Sequence, residues 1–423
     1  MAHICLGVHH APAFAARFPT ALLWLLLAVA LLGIASSTVF LARALAASAR
    51  HLRRSRAGAP HLCKESALPP LTILKPLHGA EPRLKENLES FFLQDYPDFE
   101  IVFGCRNAAD PALAVVERLR ALHPSIATRV VFSGEPQWPS AKVWSLDKMI
   151  ASSSRRYFVL SDSDILVQSD FLRSVIPPLL DDSAPQPQTG LVTCLYRGVP
   201  AAGFWSHLEA LGMSVELPSG VLIAEMLEGM RFALGAAIAV RRDALEKFGG
   251  IASTAEHYSD DFVLGNRVYQ AGYRVHLSHY RVAHVLCAQS LRRTFATQVR
   301  WMQSTRYSRP LGHLGSGLTF AVPFGLLGLA AAWALHRPAI GLALLAASLI
   351  NRIVQCAAIG YGVIGDRRAL RLCWLYPLRD LMGFLFWVAS YCSGSSFRWR
   401  GELYRFRPGG KIESIQRGRR AQH

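Results

Sequence analysis

The chain has 423 residues, 51% of them hydrophobic, and 46 basic against 29 acidic residues give it a formal charge of +17. That is more than one core absorbs and enough for an ordinary globular domain plus several membrane segments. A basic excess points to nucleic acid or to anionic lipid, and here many arginines flank apolar runs, which argues against nucleic acid and for the lipids of an inner membrane.

In chain order, 25 uncharged residues lie between Arg17 and Arg43, longer than the ~20 needed to span hydrocarbon. The run exceeds a usual signal-peptide core and no clean small-x-small site follows it, so a retained anchor is expected over residues 1–48. Four arginines between Arg50 and Arg56 put the next stretch on the cytoplasmic face. Residues 49–70 read as a basic, proline-bearing linker. From 71 to 310 short apolar runs alternate with helical periods, at Leu71-Thr-Ile-Leu74, Phe99-Glu-Ile-Val-Phe103, Arg129-Val-Val-Phe132, Tyr157-Phe-Val-Leu160 and Gly190-Leu-Val-Thr193, with helices expected over 111–122 and 141–152. This alternation predicts an α/β domain with a mostly parallel sheet, whose ligands sit beyond the strands' carboxyl ends. Residues 201–230 carry many large apolar side chains among four glutamates. They are expected to be too polar to span, forming either an amphipathic element on the bilayer surface or a core helix. Residues 184–188 read as a surface loop.

Beyond Arg309 the runs 315–335 and 338–365 can span, and 381–397, with 17 uncharged residues, is marginal, giving two to three C-terminal membrane helices over 311–397. A full crossing by the last run leaves the basic tail 398–423 on the outside, against the charge rule; sequence leaves this open. The eight cysteines show no paired spacing, as expected of small buried hydrophobes in a reducing compartment.

The sharpest chemical signal is Tyr157-Phe-Val-Leu-Ser-Asp162-Ser-Asp164, a strand ending in two carboxylates one residue apart. On an extended chain residues i and i+2 project to one side, so Asp162 and Asp164 are expected to converge on a Mg²⁺ or Mn²⁺ serving a nucleotide diphosphate. Asp110 before Pro111 is either an ordinary helix N-cap or a carboxylate at the adjacent strand end, within reach of a donor nucleotide. Asp260 and Asp261 open a helical pattern, where acids suit the dipole; a base for an attacking hydroxyl is needed too, and Asp261 is the candidate. Gln298-Val-Arg300-Trp301 lies just before a membrane segment, so Arg300 and Trp301 are either topological anchors or diphosphate and acceptor contacts. Lys142, Lys75 and Arg106 read first as solvated cations with phosphate contact as the alternative, Lys142 being kept as a donor-nucleotide candidate. His276, His279 and His284 have spacings that suit neither one helix face nor one strand face and are expected to be structural.

Taken in order, these residues resemble the ceramide glucosyltransferase family, a membrane-anchored group with the glycosyltransferase-A fold. The most specific part is Leu74-Lys-Pro-Leu-His-Gly79, followed by Asn87-Leu-Glu-Ser-Phe-Phe and Asp95-Tyr-Pro97. The resemblance implies an inverting transfer of glucose or N-acetylglucosamine from a UDP-sugar donor to a membrane-lipid acceptor. It implies roles for Asp110 and Asp162 at the nucleotide, for Asp261 as base, and for Arg300 and Trp301 towards acceptor and diphosphate, where Asp260 and Gln298 are further candidates. Two features depart from the family pattern. Ser161-Asp-Ser-Asp164 carries a second aspartate, and Gln298-x-Arg300-Trp301 is one residue short, with Thr297 at the family's Gln/Arg position. The Ser-Asp-Ser-Asp centre and the Trp399-Arg-Gly-Glu-Leu-Tyr-Arg405 tail are similar to the bacterial hopanoid-associated branch. The rivals are a processive polysaccharide synthase, which calls for more membrane helices and a fuller Q-x-x-R-W element, and a non-catalytic basic membrane scaffold.

Overall fold

The computed structural model describes residues 19–57, 68–180, 187–288, 290–399 and 402–415. Residues 58–67 of the expected 49–70 linker, residues 184–186 of the expected loop, Cys5 and Cys63, and Arg17, Arg400, Arg417, Arg419 and Arg420 lie outside them. Eight strands form one sheet: β1 (Leu71–Pro76), β2 (Phe99–Cys105), β3 (Ala127–Phe132), β4 (Tyr157–Ser161), β5 (Ile165–Leu166), β6 (Thr189–Val199), β7 (Ala237–Arg241) and β8 (Arg274–Val285). They lie in the order β3-β2-β1-β4-β7-β6-β8-β5. The half from β3 to β4 is parallel and β6 runs parallel to β8, while β7 is antiparallel to both β4 and β6. The expected mostly parallel α/β sheet is present. Its central strands read as unbroken apolar runs because helices cover both faces: Leu71, Ile73, Leu74, Phe158 and Val159 are fully buried.

The covering helices are α2 (Leu84–Phe92), α3 (Ala112–Leu122), α4 (Ala141–Ala151), α5 (Phe171–Val175), α6 (Pro177–Leu180), α7 (Phe204–Glu228), α8 (Arg242–Glu246) and α9 (Asp260–Gln270), and α1 (Thr20–Ala57) precedes the sheet. Ser140 caps α4 by accepting from the Val143 N–H at 3.3 Å, satisfying one of the orphan donors of a helix start.

After β8 come α10 (Leu291–Ser308), α11 (Pro310–Ser316), α12 (Val322–Ala334), α13 (Pro338–Gln355), α14 (Arg367–Arg371) and α15 (Tyr376–Cys392). The helix beginning at Thr20, with a mean hydropathy of 2.4, and the 26-residue segment Pro338–Val363 are long and apolar enough to cross a bilayer. The expected 315–335 span is not one straight helix, since α11 and α12 are bent by 56° about residues 317–321. The break frees backbone N–H groups, and the Asp380 carboxylate accepts those of Ala321 and Val322 at 3.0 and 2.8 Å while pairing with Arg352 at 3.2 Å. Arg352, the one charge inside the expected 338–365 span, is therefore neutralised within the bundle.

Residues 201–230 correct the sequence reading. They form one 25-residue helix, α7, with a mean hydropathy of 1.4, apolar enough to cross by length and composition. Two of its four glutamates have cationic partners: Glu225 pairs with Arg54 at 2.7 Å and Glu216 with Arg379 at 2.9 Å. Half of its apolar window is buried against the rest of the protein.

The described part of the C-terminal tail is folded. β9 (Ser396–Trp399), β10 (Glu402–Arg407) and β11 (Lys411–Ser414) form an antiparallel sheet. It packs Phe397, Phe406 and Ile412 against Tyr258 and Tyr307. The Ile412 N–H donates to the Glu256 carbonyl at 2.7 Å and Lys411 pairs with Glu256 at 2.7 Å. The last apolar run is the 17-residue α15, and β9 follows four residues later on the α/β domain. The described tail and the α/β domain thus lie on one side of any bilayer that the apolar helices cross.

Among the described residues no cysteine is disulfide-bonded, and Cys105, Cys194 and Cys356 are buried.

Candidate active site

The carboxyl ends of β1 and β4, the residues before β7 and the start of α9 surround a cleft of about 320 Å³ that holds Lys142, Asp162, Asp260 and Asp261. Three local features build it. β4 ends at Ser161, and the Asp162 N–H reaches across to the Ala236 carbonyl at 3.3 Å, holding the strand end against β7. Gly235 stands where a Cβ would lie 2.8 Å from Asp261 Oδ2, so only glycine leaves the base candidate room. The third is α4, whose first turn delivers Lys142, with Nζ 2.6 Å from Asp162 Oδ1.

The electrostatics follow from burial. Around Asp261, desolvation and the adjacent Asp260 carboxylate outweigh the pull of Lys142 and raise its carboxyl to about 6, poised for proton acceptance near neutrality. Desolvation raises Asp260 as well, against the opposing charge of Lys142. For Lys142 burial works downwards, but Asp162 and Asp260 overcome it and hold the ammonium above its ordinary value. Neither Lys142 nor Lys75 is the solvated cation that sequence alone suggested. Lys75 is fully buried beneath the cleft, donating to the Asp162 carbonyl at 2.5 Å and to Ser161 Oγ at 3.2 Å, with Nζ 3.8 Å from the Phe91 ring centroid. Burial draws it down to about 7. Arg106 is a rim cation, 3.4 Å from Glu135 and 3.8 Å from Glu402 of β10.

Asp164 departs from its expected place beside Asp162. The i, i+2 argument requires extended backbone, whereas Ser163 and Asp164 form a turn between β4 and β5. Asp164 is not part of the cleft lining; its Oδ2 is 3.0 Å from His284 Nε2 on β8. Its other oxygen, Oδ1, is buried with no hydrogen-bond partner. Desolvation pushes this carboxyl up, but His284 and then Lys75 and Lys142 hold it below its ordinary range. Among the described residues no three histidine, cysteine or acidic side chains cluster as a metal site. His276 and His279 stand apart from His284, His279 Nδ1 lying 3.3 Å from His51 Nε2.

Asp110 lies outside the cleft. Its carboxylate accepts the N–H of Ala112, closing the start of α3 at 2.9 Å, and that of Gly79 at 3.0 Å, tying down the loop after β1 where Gly79 adopts φ +75°. Gln298 and Arg300, two residues apart on α10, point to different surroundings because helical spacing turns them some 200° apart. Gln298 Nε2 donates to Glu209 at 3.3 Å and its Oε1 accepts from Arg379 at 3.1 Å. Arg300 Nε instead donates to the Tyr258 hydroxyl at 2.9 Å, three residues from Asp261, and Trp301 is 38% exposed. Sequence reasoning did not single out Gly235, Glu209 or Arg379, and it read Lys75 first as a solvated cation and His284 as structural. The run Leu74-Lys-Pro-Leu-His-Gly79 carried a signal for Lys75, a charge at the end of an apolar strand; none marked Arg379.

Comparison with known proteins places these features in a family. Ceramide glucosyltransferase 1 of Caenorhabditis elegans is 25% identical over 241 residues, covering 56% of this chain and 50% of that protein. The matched region therefore spans about half the length of that relative. Ceramide glucosyltransferase 3 of the same organism is 22% identical over 360 residues, covering 83% of this chain and 76% of that one. A mannosyltransferase from Pyrobaculum calidifontis in complex with GDP-Man and Mn²⁺ superposes with a TM-score of 0.47 at 20% identity, covering 84% of this chain and 98% of its own. The sequence profile of glycosyl transferase family 21 matches residues 22–412, and the chain belongs to that family.

Proposed function

We propose that this protein is an inverting, UDP-sugar-dependent hexosyltransferase that glycosylates a hydroxyl of a membrane lipid, with ceramide and a hopanoid polyol such as bacteriohopanetetrol as the acceptors to test. The observation that carries the reading is the convergence on one cleft of Lys142, Asp162 and the Asp260–Asp261 pair, which are far apart in sequence, in a chain that also holds helices apolar enough to cross a membrane. Asp261 takes the proton of the lipid hydroxyl as its oxygen attacks the anomeric carbon. The new glycosidic C–O bond forms as the bond from that carbon to the diphosphate breaks, and the electron pair leaves with UDP. Lys142, kept charged by Asp162, lies where it can meet the negative charge of the leaving group. Asp110 stiffens the loop after β1 beside the nucleotide, and Arg300, anchored on Tyr258, borders the acceptor side with Trp301.

A hard divalent cation would be held by Asp162, which lines the cleft, and by Asp164, whose buried Oδ1 has no partner although it lies outside that lining. One or two carboxylates plus substrate phosphates are an ordinary Mg²⁺ site. When bound, Mg²⁺ or Mn²⁺ would neutralise charge building on the departing diphosphate. The arginine-rich end of α1 meets the α/β domain, His51 lying 3.3 Å from His279 of β8, which supports a cytoplasmic catalytic face and an inner-membrane location.

The test is to incubate membranes containing the full chain with labelled UDP-glucose or UDP-N-acetylglucosamine and either lipid, with and without a chelator. Labelled glycolipid is expected, and it should vanish on chelation. Absence of transfer with both donors and both lipids would end the proposal, and transfer undiminished by chelation would remove the cation from it.

A further inference from the structure

Asp261 stands in the first turn of α9, and the segment that leads into that turn belongs to no strand of the large sheet. Residues 255–259 run between a single turn at Ile251–Thr254 and α9. The far end of the chain holds them. The Tyr258 N–H donates to the Gly410 carbonyl at 3.1 Å and the Ile412 N–H to the Glu256 carbonyl at 2.7 Å, an antiparallel pairing centred on His257 and Lys411. Residues 256–258 thus extend the tail sheet beyond β11.

Side chains repeat the attachment. The Tyr258 ring is boxed by Phe397, Trp399 and Phe406, with ring centroids 5.4, 5.6 and 5.4 Å away, and its hydroxyl accepts from Arg300 Nε at 2.9 Å. Arg300 Nη1 also donates to the Arg398 carbonyl of β9 at 3.4 Å, and the Ser259 and Ser304 hydroxyls share a hydrogen bond at 2.8 Å. Gly410 makes the close approach possible: it adopts φ +75°, and a Cβ there would overlap the Ser308 hydroxyl of α10. Tyr258 stands three residues before Asp261, so these contacts set where the first turn of α9 begins and which way it faces. Misplacing a catalytic group by about 1 Å costs up to about 10²-fold in rate, so a base at a helix start gains directly from such bracing.

We propose that the tail sheet is the positioning device for Asp261, with Tyr258 as the positioning residue through which it acts. Because β9 follows α15, the base is braced only once the chain has passed through every apolar helix. This role rests on the reading of Asp261 as the base of a glycosyl transfer and adds how that base is held.

Variants of the full chain in lipid nanodiscs test it. Gly410→Ala, strained at a positive φ and crowded by Ser308, is expected to release the tail and lower kcat by about ten- to hundred-fold, while UDP affinity stays unchanged. Tyr258→Phe keeps the ring and loses the hydroxyl alone, so folding is preserved, and kcat should fall by about five-fold, one hydrogen bond's worth. His257 and Lys411 form a non-hydrogen-bonded antiparallel pair, a geometry with Cα atoms about 4.5 Å apart and within reach of a disulfide. Adding His257→Cys and Lys411→Cys to Gly410→Ala should restore kcat on oxidation and lose it again with dithiothreitol, a rescue that a merely structural role does not predict. Hydrogen exchange reads the same coupling without turnover: peptides covering 256–264 should exchange faster in Gly410→Ala and slow again on oxidation. Unchanged kcat in both single variants, UDP affinity falling together with kcat, or a disulfide that forms without restoring kcat would overturn the proposal. If the wild type transfers sugar to no lipid, the functional reading falls, and hydrogen exchange alone decides whether the tail holds the segment that carries Asp261.

Discussion

Replacing Asp261 with asparagine separates catalysis from stability, and the two effects have opposite signs. Desolvation and Asp260 lift the Asp261 carboxyl from 3.8 to about 6, so the folded protein prefers the protonated form. That gap corresponds to roughly 3 kcal/mol. For a carboxylate raised in the fold, the cost of ionisation is absent below its unfolded value near 4, grows as pH rises to about 6, and is full above. Asparagine never ionises. Asp261→Asn is therefore expected to melt with the wild type at pH 4 and above it at pH 8, by a margin approaching the roughly 3 kcal/mol above. Loss of the base should lower kcat by about 10²- to 10⁴-fold while UDP affinity is kept. In the wild type, kcat/KM should climb to a plateau as pH passes about 6, the range in which Asp261 ionises. Detergent-solubilised protein, melted at each pH and assayed by radiolabelled sugar transfer, gives both readouts. Normal turnover in the variant, a wild-type profile flat between pH 5 and 7, or a variant less stable at pH 8 than at pH 4 relative to wild type would refute the reasoning.

Lys142→Met strips Asp162 of a partner 2.6 Å away, a charge-assisted contact worth about 1.5–3 kcal/mol, so UDP affinity measured by calorimetry should fall about ten- to hundred-fold; unchanged affinity removes Lys142 from the donor site. Asp164→Asn should abolish Mn²⁺-dependent UDP binding, and Mn²⁺ dependence that persists rules Asp164 out as a ligand. A protease site placed after Ser414 should be cut on the same face of sealed vesicles as one placed in the loop before α4. Cutting on opposite faces contradicts the docked C-terminal sheet. Phe406→Ala should destabilise that sheet by about 3–5 kcal/mol and expose the 396–414 segment to limited proteolysis; a protease-resistant tail in the variant counts against the packing onto Tyr258 and Tyr307.

The parallel half of the sheet was legible because strands covered on both faces must be apolar throughout, and the runs beginning at Leu71, Phe99 and Tyr157 show it. β7 and β8 escaped the sequence reading. Ala237–Arg241 is short, and Arg274–Val285 mixes histidines and arginines with valines, so neither offers a clean period. The helix starts at α3, α4 and α9 were visible from their caps, prolines and first-turn acids. The tail was read as a basic run because its arginines alternate with Phe397, Tyr404 and Phe406, and that alternation becomes β structure only against Tyr258.

Composition and local pattern by themselves determined an α/β domain between apolar segments, because burial in a sheet or a bilayer imposes a period that any short window displays, and they singled out Asp162 and Asp261 as candidates. Tertiary structure alone decided that Asp164 turns to His284, that Lys142 enters the cleft, that Gln298 and Arg300 serve different surroundings, and that α15 returns the chain to the side of the catalytic cleft. The side-chain placements among these depend on partners 20 to 120 residues away. A side chain's charge state and direction are set by what desolvates and pairs it, and a linear sequence does not contain that neighbourhood.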